Sequence, residues 1–443
     1  MNYIVHSKEI TGPWSDPIFA NASGFDPSLF HDDDGKKWFV NMLQDHRSRP
    51  RTFAGIRLQE FQFGAGQEKL AGPATTIFHG TELDKCEAPH LYKRNGWYYL
   101  LTAEGGTEYG HACTLVRSRN IRGPYELHPQ KYILTSKDNP FAELQRAGHG
   151  DIVDTLDGKT YLVHLSGRPI TQARRCILGR ETSIQEAYWK DDWLYVKNGP
   201  SPSLFVDVPG TIGLDYWAKQ EYTFDSKKGL HPDLQWLRTP EPDRIFDVKD
   251  GKLQLIGRES TGSWFEQALV ARRQTHFSYD AKTSLIDYCP TDERQFAGLI
   301  AYYNRFSFFY LTVTADAHGQ REILILSSES SQPNGRLNHP LTPPVHIQDE
   351  HRVKLSLTVR GKELQFYYAL GEQGEAKKIG HVFDASILSD ECVSGGFTGA
   401  FVGMAASDLN GTALTADFEY FTYHPVKHES DRYEIFPRVD SKA

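Results

Sequence analysis

Residues 87–100 read Glu87-Ala88-Pro89-His90-Leu91-Tyr92-Lys93-Arg94-Asn95-Gly96-Trp97-Tyr98-Tyr99-Leu100, a hairpin dipeptide between two apolar segments. Asn-Gly in that setting is a strong short-range hairpin signal, because a two-residue type I′ turn needs positive φ at both positions. Related patterns stand on either side. Asp34-Gly35 precedes Lys37-Trp38-Phe39-Val40, and Asp157-Gly158 precedes Thr160-Tyr161-Leu162-Val163. The turn glycines are 61 residues apart from Gly35 to Gly96 and 62 from Gly96 to Gly158. Nine residues before each glycine lie Asp26, Glu87 and His149. Two carboxyl groups and a histidine in register within a repeat predict one shared site, built from equivalent points of successive units.

A unit of about 61 residues holding several short strands matches a four-stranded propeller blade. The marked residues are then expected on the innermost strands, facing a central channel. A fourth, weaker copy runs from Leu178-Gly179-Arg180-Glu181-Thr182 to Lys190-Asp191-Asp192-Trp193, with its turn early. That makes about three and a half blades, where closure takes about four to eight, so the chain reads as a propeller without its beginning. Beyond the turn-rich Asn198-Gly199-Pro200-Ser201-Pro202-Ser203 the phase is lost. Segments such as Lys252–Ile256, Gly298–Tyr303, Phe308–Val313, Glu322–Leu326 and Val353–Val359 then predict a β-sandwich. The expected division is a propeller over 1–212, a sandwich over 213–425 and a polar tail over 426–443.

Bulk properties narrow the function classes. Among 443 residues are 8 Trp, 22 Tyr and 25 Phe, which suits an all-β protein able to bind flat ligands such as sugars. A net charge of −8 with dispersed Lys and Arg argues against nucleic acid or an anionic membrane surface as partner. No apolar run approaches the length of a membrane span, and the start, Met1-Asn2-Tyr3-Ile4-Val5-His6, lacks the pattern of a signal peptide. The five cysteines, Cys86, Cys113, Cys176, Cys289 and Cys392, are widely spaced and contain no CxxC pair. Free thiols in a reducing, cytoplasmic setting are expected, and a cysteine zinc site is not.

Each marked residue has a plain structural alternative. Asp26, before Pro27, could bond turn backbone; Glu87 could be an exposed loop carboxylate; His149 could be a satisfied core histidine; Arg180 could be an ion-pair partner. The shared register favours the functional reading. Two carboxyl groups at a channel suit glycoside hydrolysis, in which one acid protonates the leaving oxygen and a carboxylate opposite activates water or attacks. A further carboxylate nearby keeps the acid protonated by like-charge repulsion, and an arginine can clamp hydroxyl groups. The sequence contains no GxSxG, Walker A or HExxH motif.

At these residues the chain resembles glycoside hydrolase family 43, in particular its β-xylosidases with a C-terminal concanavalin A-like β-sandwich. The matching stretches are Trp14–Ile18, Gly24–Gly35, Glu87–Tyr92, Leu100–Gly106, Ala147–His149, Leu178–Thr182, Gly396–Met404 and Ala416–Phe421. The resemblance implies a five-bladed propeller, here without the first blade and part of the second. It also implies inverting release of xylose from the non-reducing end of xylo-oligosaccharides, with α-L-arabinofuranosidase activity as the competing specificity. By resemblance Glu87 is the general acid and Asp26 the Asp that tunes it. Arg180 binds the sugar, His149 is the channel histidine, and Phe401, with Phe397 as second choice, borders the pocket. The family's base Asp falls before Met1, so a weakly active chain or a non-catalytic carbohydrate-binding remnant is the alternative. No cofactor is required, though the resemblance admits a structural calcium ion at His149. It also admits a homo-oligomer. Ala88 stands where a Gly is common, and Gln44 where an aromatic is common.

Overall fold

The computed structural model describes residues 1–435 except 48–51, 65, 67, 211, 212, 214, 330–336, 339, 340, 348, 349 and 393–396. Gly396 of the quoted stretch and residues 436–443 of the tail lie outside the described residues. The chain forms two compact units, Met1–Gly167 with Glu181–Thr211, and Arg168–Arg180 with Ile212–Ala443. No α-helix occurs among the described residues; the elements are strands and three short 3-10 turns.

The first unit is built on three antiparallel four-stranded sheets, each a meander. The first sheet comprises Ser28–His31, Lys37–Gln44, Phe53–Gln62 and Lys69–Phe78. The second comprises Glu87–Arg94, Trp97–Glu104, Ala112–Ser118 and Glu126–Thr135. The third comprises Gln145–Asp154, Thr160–Gly167, Glu181–Lys190 and Trp193–Val196. A two-stranded sheet pairs Asn2–Ile4 with Ile18–Asn21. The fourth, weaker repeat is therefore not a separate unit. Its strands complete the third sheet, and its early turn is the Asp191-Asp192 hairpin, with φ of 52° and 54°, between paired Lys190 and Trp193.

Period-2 alternation builds the cores. On the second sheet Leu100 joins Trp38, Val40, Met42 and Leu58 of the first sheet in one apolar cluster. Its neighbours Tyr99 and Leu101 turn to the opposite face and join Ala147, Leu162 and Leu194 of the third sheet. Polar bonds tie the first strands together as well. Ser28 Oγ donates to Pro89 O at 2.6 Å, Tyr92 Oη donates to the Asp151 carboxylate, and Ile152 N donates to Tyr92 Oη at 3.0 Å. Asp32 accepts from Lys93 Nζ at 2.6 Å and from Tyr98 Oη at 2.8 Å.

The second unit is a sandwich of two antiparallel sheets. One is ordered Phe246–Lys249, Lys252–Ile256, Thr415–Pro425, Tyr279–Ile286, Arg352–Arg360, Glu363–Leu370, Lys377–Asp384, with Gln220–Thr223 also on Thr415–Pro425. The other is ordered Leu234–Trp236, Ala268–Arg273, Phe401–Asp408, Gln295–Asn304, Ser307–Ala315, Arg321–Ser328, Leu337–Asn338, with Val345–His346 also on Arg321–Ser328. Arg352–Arg360 alternates buried and half-buried residues, as a strand with one core face does. Ser307–Ala315 is buried throughout. Its Phe309, Leu311 and Val313 enter the core between the sheets, while Phe308 and Tyr310 join Leu269, Tyr302 and Ala405 in a second cluster on the other face.

Two histidines of the first unit give it a pH response. Burial holds both His128 and His164 down at about 4. In the unfolded chain they take up protons near about 6.5, so stability is full above that value and falls as the pH drops toward 4. Thermal melts between pH 7 and 4 should show a declining Tm, with a shallower decline in His164→Gln; an unchanged slope in that variant contradicts the assignment.

Candidate active site

The first strand of each sheet carries the same irregularity. In the second sheet the register slips between the pairs Glu87–Ala103 and His90–Leu101. In the third it slips between Gly148–Leu165 and Asp151–Val163. In the first, Met42 N bonds Phe25 O ahead of the pair Ser28–Val40. Each slip is a β-bulge, a device that re-aims side chains beside sites. Left-handed residues mark the bulges: Asp26 at φ 49°, Ala88 at 51° and His149 at 53°.

This corrects the register read from the sequence. The structural equivalent of Asp26 and His149 is Ala88, and Glu87 stands one residue earlier, level with Phe25 and Gly148. The offset comes from the hairpins. Arg94 and Trp97 pair directly around Asn95-Gly96. In the other two sheets His31 pairs Lys37 and Asp154 pairs Thr160 around longer turns, closed by Asp32 N to Lys36 O at 2.9 Å and Thr155 N to Lys159 O at 2.8 Å. Equal counts back from the turn glycine therefore reach different points of the strand.

Glu87 is 8% exposed, so the exposed-loop alternative fails, whereas Asp26 and His149 are half-buried. The Ser28–Pro89 bond lies two residues beyond Asp26 and Glu87, so it sets the two bulges side by side. His149 follows Gly148, where a Cβ would sit 2.5 Å from the His111 ring. Only glycine lets the third strand approach so closely, and His111 Nδ1 lies 3.1 Å from Arg146 O on the same stretch.

Sequence reasoning missed a carboxyl behind Glu87. Glu104 ends the strand paired to Glu87 and is fully buried. Its Oε2 accepts from Thr81 N at 2.9 Å and from the Thr81 hydroxyl, and burial pushes its pKa up. Thr81 opens the loop into Glu87, where Asp84 and Lys85 are both left-handed (63° and 52°) and Asp84 O accepts from Gly105 N at 2.9 Å. Glu104 thus anchors the loop that delivers Glu87. It stands inside the quoted Leu100–Gly106 stretch, but nothing in the sequence marks it as buried.

The remaining expected site residues belong to the second unit. Arg180 ends the Arg168–Arg180 segment, and its guanidinium lies 5.1 Å from the ring centroid of Phe397. Arg273 Nη2 holds that segment through Leu178 O at 2.8 Å and Arg180 O at 3.1 Å, and Ala400 N bonds Ile177 O at 3.0 Å. Phe401, on its strand opposite Arg273 and Tyr302, packs on the outer cluster of its sheet. Among the described contacts, the ring facing Arg180 is that of Phe397. Both phenylalanines line a cleft of about 270 Å³. No group of three or more His, Cys, Asp or Glu side chains able to hold a metal ion gathers among the described residues.

Comparisons with known proteins decide the family. Residues 1–194 match the model of glycosyl hydrolases family 43, and residues 221–424 match that of the beta xylosidase C-terminal concanavalin A-like domain. The chain is 69% identical over 441 residues to "Xylosidase/arabinosidase 43B" of Humicola insolens, covering 98% of this chain and 81% of the relative. The chain belongs to glycoside hydrolase family 43. It is also 42% identical over 440 residues to "Beta-xylosidase" of Bacillus subtilis (strain 168), covering 95% of this chain and 80% of that one. The crystal structure of xylan beta-1,4-xylosidase from Bacillus Halodurans C-125 superposes with a TM-score of 0.88 at 41% identity, covering 95% and 80% of the two chains. The all-β reading, a propeller-like first unit followed by a concanavalin A-like sandwich, is borne out.

Gly179, at φ 69°, offers a direct test of how Arg180 is held. A Cβ there would lie 2.4 Å from Gly399 N. Gly179→Ala is expected to destabilise the second unit by about 2–4 kcal/mol through backbone displacement and left-handed strain, measured by denaturant unfolding. A loss below about 0.5 kcal/mol would show that the Leu178–Arg180 segment is not clamped as described.

Proposed function

We propose that this family 43 glycoside hydrolase acts on xylo-oligosaccharides from the non-reducing end, with inversion, in carbohydrate catabolism. Glu87 serves as general acid to the leaving oxygen, and Asp26 acts as the carboxylate that keeps Glu87 protonated and orients the sugar. The observation that carries the reading is the pairing of two equivalent bulges, fastened by the Ser28–Pro89 bond, which sets an Asp just ahead of one strand beside a buried Glu at the start of another. A carboxylate beside a buried carboxyl group disfavours ionisation of the latter, and the proton so retained is what general-acid catalysis needs. Arg180 binds the sugar hydroxyls, and Phe401 or Phe397 borders the pocket. His149 contributes to the channel, and no cofactor is required. The five free thiols suit a cytoplasmic setting.

A second specificity, release of α-L-arabinofuranosyl groups, is favoured by the name of the 69% identical relative, which includes both activities. Both substrates are pentosides and use the same acid. The polypeptide of residues 1–443 is expected to bind xylose and xylobiose. Calorimetry should detect that binding, and Arg180→Ala should weaken it about tenfold or more, the loss of a charged hydrogen-bonding partner. Turnover of an aryl xyloside that survives Glu87→Ala undiminished would remove Glu87 as the acid. An unchanged dissociation constant in Arg180→Ala removes Arg180 from the site.

A further inference from the structure

The cleft in the second unit extends beyond Phe397 and Phe401 to a wall with no assigned role. Trp236 ends the strand Leu234–Trp236, Trp264 lies on a loop, and Phe306 sits at the tip of the hairpin between Gln295–Asn304 and Ser307–Ala315. Trp264 is 50% exposed and Phe397 53% exposed, so large ring surfaces face open space. Aromatic faces of this kind are the usual platform for the apolar side of a sugar ring.

Two arginines stand among these rings. The Arg305 guanidinium lies 4.3 Å from the Trp264 centroid and 4.5 Å from that of Phe306; Arg238 lies 5.5 Å from Trp264. Neither makes a salt bridge among the described residues, and the cleft lining contains no carboxylate. Arg305 Nε is buried without a hydrogen-bond partner, which is costly to leave so in a native structure. Arg238 is held at φ 59°, a conformation rarely adopted outside glycine, Asn and Asp. In a chain of net charge −8, two stacked guanidinium groups face a cleft whose described lining supplies no counter-charge, the nearby Glu266 being engaged by Arg244. A planar guanidinium is suited to a carboxylate, which it binds with two parallel bonds. The cleft's volume of about 270 Å³ falls near the lower end for small-molecule sites, room for about one or two sugar rings.

We propose that this cleft is a binding site for an acidic sugar, a uronic acid residue carried on a xylo-oligosaccharide. Its ring packs on the aromatic wall and its carboxylate takes the Arg238 and Arg305 guanidinium groups. The inference rests on the xylan-directed reading above for the identity of the oligosaccharide, and on the cleft itself for the acidic group.

The test is calorimetry on the 443-residue protein with two probes, neutral xylotriose and xylotriose bearing one glucuronic acid branch, at low and high salt. The acidic probe should bind at least tenfold more tightly at low salt, and added salt should erode that advantage. Arg305→Gln and Arg238→Gln should each reduce the preference about tenfold while leaving xylotriose binding unchanged, and Trp264→Ala should weaken the acidic probe selectively. Unchanged circular dichroism and Tm certify folding of the variants. Arg180→Ala should lower neutral binding and leave the acidic preference standing, which separates this site from the catalytic one. Equal affinity for the two probes, or a preference that survives both arginine substitutions, overturns the proposal. A loss of neutral binding in Arg180→Ala with no acidic preference in the unaltered protein overturns it while sparing the catalytic reading.

Discussion

The bulge near the start of each first strand is the constraint on which the candidate site depends. A regular strand places successive side chains on opposite faces, and every ladder position is fixed by its neighbour. One left-handed residue per sheet, Asp26, Ala88 or His149, breaks that regularity at the same point. The strands are then joined by polar bonds just beyond the bulges, Ser28 to Pro89 and Tyr92 to Asp151 and Ile152. Fixing the bulges fixes the chemistry, because the carboxyl groups stand on or next to them. Ala88 carries the strain of a left-handed alanine where glycine would carry none.

Support for Glu87 comes from behind the strand. The buried Glu104 holds Thr81, and through it the loop whose last turn contains left-handed Asp84 and Lys85. Burial raises the pKa of the Glu104 carboxyl while its bonds from Thr81 brace the loop. The same loop delivers Cys86, whose thiol is pushed well above its ordinary range, first by burial and then by the nearby Glu104. Cys86 is accordingly a packing residue, grouped with Val40, Met42 and Leu91.

Much of this was readable in the sequence, because turns and alternation are local. Asn95-Gly96, Asp34-Gly35 and Asp157-Gly158 sit at hairpins, and the second-unit segments Lys252–Ile256 and Val353–Val359 lie in strands. What failed was counting. Hairpin length varies by turn type, so a common spacing concealed a one-residue offset at Glu87. The early Asp191-Asp192 turn reads as the hairpin of a fourth copy but closes the third sheet. Arg168–Arg180 falls within the compact second unit through bonds such as Ala400 N to Ile177 O and Arg175 to Asp384, partners more than 200 residues away that no local pattern announces. That Arg238 and Arg305 make no salt bridge among the described residues was likewise invisible, since pairing is a property of three-dimensional surroundings.

The central claim is that Asp26 and Glu87 act on one sugar. A double-mutant cycle on xylobiose binding, using Asp26→Asn, Glu87→Gln and the double variant, tests it most directly. Groups sharing a ligand and lying in contact should couple by about 0.5–3 kcal/mol, so the double variant should depart from the sum of the single effects. Additivity within about 0.3 kcal/mol, the behaviour of distant and independent positions, would contradict a shared site.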